Sequence, residues 1–128
     1  AGDLDDVVDF SVDLAVLSGR DSALALAGDS SIVILDGVVS EVSTLQEIPV
    51  MRLLGGEWIG SREVRAYTCL FFLDEPGWQR VFPLIPPDNP GSDYIPPGTR
   101  LLVAALVEGW NEDTSEPIAR IIEYRVLK

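Results

Sequence analysis

Arg65, Tyr67, Trp78 and Arg80 are the residues of this sequence whose types and spacing suit chemistry at a surface. Arg65, Tyr67, Cys69 and Phe71 share one face of an extended run, and Trp78, Arg80 and Phe82 share one face of the next. Aromatic rings set beside guanidinium groups suit base stacking combined with phosphate pairing. The same set suits a protein interface, where Trp, Tyr and Arg dominate the binding energy. The plainest role comes first: Tyr67 and Trp78 cover a core, with protein interface second and nucleic acid third. Trp58 and Trp110 lie in loop-like surroundings and are candidate anchors, local packing being the simpler role for each.

Catalytic chemistry finds few starting points. The chain has no histidine, which removes Ser-His-Asp and Cys-His nucleophilic schemes and the commonest zinc and iron sites. Its one cysteine, Cys69, sits inside an apolar run, so it forms no intramolecular disulfide and reads as a small buried core residue. Gly37 and Gly55-Gly56 do not make a phosphate-cradling pattern. Glu112, Asp113 and Glu116 cluster in one loop and have the oxygen chemistry for Ca²⁺, but a solvated hairpin tip is the simpler role. Asp3, Asp5 and Asp6 read as a solvated end. Paired carboxylates alone can hydrolyse glycosides, and nothing in the sequence selects such a pair. We expect no catalysis, no metal and no cofactor.

The elements that must position these residues follow from the totals and the periodicity. With 128 residues, 47% of them hydrophobic and 23% charged, the chain fits one globular domain, 1–128, with 1–6 as a flexible end. No apolar run reaches the ~20 residues of a membrane span, and the start lacks a secretion signal, so an intracellular setting is expected. Net charge is −12, from 21 acidic and 9 basic residues, which opposes non-specific binding to a phosphate backbone and favours basic partners.

Val8, Phe10, Val12, Leu14 and Val16 alternate with polar residues, which predicts a half-buried strand, and 22–27 could pair back as a short strand. A helix over 11–27 is the competing reading, because Leu and Ala are strong helix formers. Residues 31–42 read as a long strand interrupted at Gly37. Residues 43–61 read as mixed, because Pro49 and Gly55-Gly56 oppose a long regular element. Residues 63–73 form the clearest single strand, with Val64, Ala66, Thr68, Leu70 and Phe72 expected toward the core. Asp74–Gly77 reads as a turn, and 78–84 as the returning hairpin strand. Residues 85–98 hold five of the nine prolines and should run extended over the surface, pinned by Tyr94 and Ile95. Two apolar runs, 100–107 and 118–127, flank a Gly, Asn, Asp and Pro cluster and predict a long antiparallel hairpin.

Antiparallel strands without a convincing helix predict an all-β fold, a closed barrel or a sandwich. Ile32–Val39, an apolar strand bent at Gly37, resembles the opening strand of single-stranded-DNA-binding (SSB-like) OB domains. Pro97–Trp110 followed by Arg120–Leu127 resembles their closing hairpin, with a glycine before the strand and a Gly-Trp turn after it. The resemblance covers residues 31–127 and implies a small closed antiparallel OB-like barrel with an extra N-terminal strand or hairpin. Two features depart from the pattern: the strong acidity, and the Pro-rich 85–98 where those domains carry a helix. Being acidic and richer in Arg than Lys, the chain is also similar to OB domains of RNA-editing and telomere complexes that bind other OB domains. That implies a non-catalytic protein-interaction subunit of a nucleic-acid-processing complex. The alternatives are direct single-strand binding through Arg65, Tyr67, Trp78 and Arg80, or a β-sandwich structural or carbohydrate-binding module using its Trp residues.

Overall fold

The structure, a computed structural model, describes residues 8–9, 12–59, 63–89 and 91–127, with backbone only at 8, 9 and 57–59. Five long strands carry the fold: β2 (Ile32–Leu45), β3 (Ile48–Ile59), β4 (Glu63–Phe72), β5 (Arg100–Asn111) and β6 (Glu116–Leu127). A short β1 (Val8–Asp9) precedes them, together with helices α1 (Leu14–Leu17) and α2 (Arg20–Gly28), and α3 (Pro76–Val81) follows β4. The strands run β2-β3-β4-β6-β5 and close in a ring through β2 and β5. Neighbours are antiparallel except β4 with β6, which pair in parallel over only Leu70–Phe72 and Ile118–Arg120. This strand order, with one short helix between the third and fourth ring strands, is OB-like. One sheet closes on itself, so the two-sheet sandwich alternative does not form.

The ring's interior is set by alternation. Val33, Leu35 and Val39 on β2, Met51 and Leu53 on β3, and Leu101, Val103, Ala105 and Val107 on β5 all point inward and are buried. On β6, Ala119 and Ile121 point inward. The register then slips, Ala104 facing Glu123 and Ala105 facing Ile121, so Tyr124 is the next residue to pack on the core. The hairpin expected over 100–127 forms, and its strands extend to Asn111 and from Glu116.

Several expectations are corrected. Residues 14–17 and 20–28 are helical, in line with the competing helical reading over 11–27, where strands were the first expectation. Asp13 caps α1 by accepting the Val16 N–H at 2.9 Å, and Leu14 and Leu17, three apart, are both buried on one side of it. The Ala- and Leu-rich stretch then continues as α2, burying Ala23 against β5. Residues 48–59 form one strand despite Pro49 and the glycines. Pro49 lies in its first two residues, where its carbonyl still accepts the Leu73 N–H at 2.8 Å.

Gly37 does not interrupt β2; the irregularity falls between Val39 and Glu41. Glycine is needed at Gly37 because a Cβ there would meet Leu53 Cγ and the Leu54 carbonyl at 2.8 Å. Residues 78–84 are not a returning strand: α3 opens with Pro76 in its first turn, and Gln79 Nε2 donates to the Leu73 carbonyl at 2.7 Å. The helix expected to be missing is therefore present, just before the Pro-rich segment. That segment has no helix or strand among its described residues, and Ile95 pins it, buried and donating its N–H to the Val81 carbonyl at 2.9 Å.

The faces of β4 are also reversed. Cys69 and Phe71 are fully buried inside the ring and Tyr67 packs against that core, while Val64, Ala66 and Thr68 look outward. Leu70 and Phe72 share the outer face and are covered there, Leu70 beside β6 and Phe72 under the Arg120 guanidinium at 5.6 Å. Both faces of this strand thus carry apolar side chains, so composition alone could not choose between them.

Candidate functional site

The outer face of β2, β3 and β4 carries an open groove of about 480 Å³. Its floor and walls are Val38 on β2, Leu54 and Gly56 on β3, and Val64 and Ala66 on β4, with Asp36 and Arg100 at one side. The register explains the grouping: Val38 stands opposite Leu54, Gly56 opposite Ala66, and Arg100 opposite Val38. Gly56 has no side chain to fill the space between Val38 and Val64. Leu54 and Val64 are 37% and 54% exposed, apolar side chains left uncovered by the described residues. Gly55 faces the other side of β3, where a Cβ would come within 2.5 Å of Leu14 Cδ1.

The arginines on this face are occupied. Arg100 pairs with both Asp36 oxygens, Nε to Oδ1 at 3.0 Å and Nη2 to Oδ2 at 2.6 Å. Arg52, two positions from Leu54, forks onto Glu116 through Nε and Nη2, both at 2.8 Å, and its Nη1 bonds Glu41. That side chain therefore ties β2 and β3 to β6, across β4. Glu116 is 5% exposed. Burial pushes its carboxyl up, but hydrogen bonds with Arg52, Thr68 and Thr114 and the Arg52 charge outweigh that and hold it below its ordinary value. The hydrogen bond with Glu116 likewise raises Arg52, and that with Asp36 raises Arg100, so both guanidiniums stay charged.

Elsewhere Arg120 bonds Asp74 at 2.6 Å and Glu108 at 2.7 Å, which pushes its pKa up and holds Asp74 down. Arg20 pairs with Glu112 at 2.6 Å and Arg80 with Asp93 at 2.9 Å.

The residues singled out from sequence do not assemble as one surface strip. Arg65 is exposed on β4 and Tyr67 is half-buried beneath the same ribbon. Trp78 sits on α3, packed on the core and edge-to-face with Tyr124, ring centres 5.8 Å apart. Arg80 is exposed at the end of that helix. Trp110 lies on β5 opposite Pro117 and packs on the core. The backbone of Trp58 stands opposite Val64 on β3, and its side chain is outside the described residues, as are Asp3, Asp5 and Asp6. Glu112 and Glu116 face different arginines, and among the described residues no three His, Cys, Asp or Glu side chains are grouped to hold a metal ion.

The groove's own residues, Val38, Leu54, Gly56 and Val64, were missed. The available signal was Leu53-Leu54-Gly55-Gly56, an apolar strand that loses its side chains abruptly beside a run of alternating small residues.

No protein-family model matches the chain, and no curated protein is similar to it. Among solved structures, the Stn1–Ten1 complex of S. pombe is similar at 13% identity and TM-score 0.41, covering 76% of this chain and 58% of that one. A provisionally named aspartyl-tRNA synthetase from Leishmania major Friedlin is similar at 13% identity and TM-score 0.48, covering 90% and 20%. The mitochondrial single-stranded-DNA-binding protein Rim1 of S. cerevisiae is similar at 16% identity and TM-score 0.45, covering 78% and 97%. The chain thus spans a little over half of the first of these structures and a fifth of the second.

Proposed function

We propose that this chain is a non-catalytic OB-type interaction module that docks onto another protein subunit of a nucleic-acid-processing assembly, through the outer face of β2, β3 and β4. In OB folds that face, with the adjoining loops, holds oligonucleotides. Here one observation supports a different occupant: the groove is apolar and glycine-floored, its lining arginine Arg100 is already paired with Asp36, and Arg52 on the same face is paired with Glu41 and Glu116. A phosphate backbone would have to displace those carboxylates and approach a chain of net charge −12. A protein partner meets exposed Leu54 and Val64 instead, and basic residues on it gain from the surrounding charge. The nucleic-acid setting is carried by the fold alone. An intracellular, one-domain, cofactor-free protein fits this reading, and no described helix is long and apolar enough to cross a membrane.

Tryptophan fluorescence titration with single-stranded oligonucleotides at low salt, run beside light scattering with basic OB-containing subunits, tests the proposal. Complex formation with a subunit and unchanged fluorescence with oligonucleotides are expected. Salt-sensitive oligonucleotide binding without any protein complex would remove it in favour of direct single-strand binding.

A further inference from the structure

The ring has an open seam, and the ladder identifies which backbone groups face it. The Leu73 N–H donates to the Pro49 carbonyl, one step beyond the pair Val50 and Phe72. In an antiparallel ladder, hydrogen-bonded and non-bonded pairs alternate, and the register from there to Ile59 and Glu63 is unbroken. So Cys69, Tyr67 and Arg65 turn their backbone N–H and C=O toward β3. Leu70, Thr68, Ala66 and Val64 turn theirs away from it. Leu70 lies beside Ile118 of β6, but the β4–β6 pairing begins there. Among the described residues, no strand pairs with Val64, Ala66 or Thr68 on that side. No proline or bulge blunts this edge, and the side chains of Val64 and Ala66 wall the apolar groove.

We propose that this edge of β4 receives an extended segment of a partner protein as an added strand, its alternate apolar side chains seated over Leu54, Val64 and Ala66. The inference rests on the protein-docking reading above and names how the partner is held. Chemistry selects the occupant. The edge offers donors and acceptors together, every second residue, at about 6.8 Å spacing. A peptide backbone answers both. A phosphodiester only accepts, so it would leave the carbonyls of Val64, Ala66 and Thr68 without a partner. The arginines of this face are paired and the chain is acidic, so the polar positions of the incoming strand are basic.

The probe is a linear 12-residue display library selected on the full chain, followed by synthesis of the best peptide. Selected sequences are expected to alternate apolar residues with Lys or Arg. N-methylation of one alternate set of peptide amides should weaken binding at least about tenfold, the loss expected for one or two buried hydrogen bonds, and the other set should not. Ala66→Pro removes an outward N–H and no bond to β3, so it should cost a similar factor while circular dichroism stays unchanged. Should that variant misfold, hydrogen exchange on the unaltered chain decides: the peptide must protect the amides of Val64, Ala66 and Thr68.

Failure to select any peptide, equal loss from both N-methylated sets, unprotected edge amides, or Ala66→Pro binding within about twofold overturns the edge. In that last case protein docking still stands, whereas capture of oligonucleotides alone removes both readings.

Discussion

Replacing Glu116 by Ala removes the carboxylate onto which Arg52 forks, at the point where β3 is tied to β6 across β4. Breaking a buried ion pair from one side costs about 3–5 kcal/mol, because a charge is left buried and alone. Here Arg52 keeps Glu41 and a side chain 22% exposed, so the cost should fall to about 2–3 kcal/mol under that same rule. With a urea slope of about 1–2 kcal/mol/M for a chain of this size, the unfolding midpoint drops by about 1–3 M. Glu41→Ala cuts the exposed arm of the same cluster and should cost below about 1 kcal/mol.

Acid dependence follows from the same contacts. The Glu116 carboxyl lies below its ordinary 4.5 in the folded chain, so its contribution is complete above that value and fades as pH falls through the folded value. Glu116→Gln should remove that share of the acid sensitivity. If Glu116→Ala shifts the urea midpoint no more than Glu41→Ala, the cluster does not hold the seam, and the reasoning from its geometry is wrong.

Phe71→Ala should cost about 3–5 kcal/mol and Val64→Ala within about 0.5 kcal/mol by the same urea assay, separating the inner from the outer face of β4. Gly55→Ala drives a Cβ against Leu14 and should destabilise by about 1–3 kcal/mol, read from the thermal midpoint. The Cys69 thiol is fully buried, and burial pushes its pKa far up. It should therefore resist a thiol reagent in the native state and react on denaturation, as followed by absorbance.

The closing hairpin was legible because β5 alternates cleanly: Leu101, Val103, Ala105 and Val107 all go inward, and the turn cluster stands between the runs. The opening strand was legible for the same reason, although its glycine serves close packing on Leu53 and not a break. The N-terminal helices were legible only as the competing reading over 11–27, because the alternation that begins in the strand Val8–Asp9 runs on in the sequence through Val12, Leu14 and Val16. What decides that stretch is the Asp13 cap, a local contact, together with the burial of Leu14 and Leu17, which is a tertiary fact. α3 was hidden behind Asp74–Gly77, where a proline that starts a helix looks the same as one that starts a turn.

The candidate site suffered most from β4. Its outer face is apolar because Arg120 and β6 cover half of it and the groove occupies the rest, so an apolar count mistook it for the core face. Tyr67 and Trp78 pack against the core, the plainest of the roles open to them from sequence.

Amide-resolved NMR of the labelled chain, titrated in parallel with a selected basic-apolar peptide and with an oligothymidylate, puts the central claim to its most direct test. The account predicts saturable shifts at Leu54, Gly56 and residues 63–68 with the peptide, and none there with the oligonucleotide. Shifts on that face with the oligonucleotide alone would contradict it.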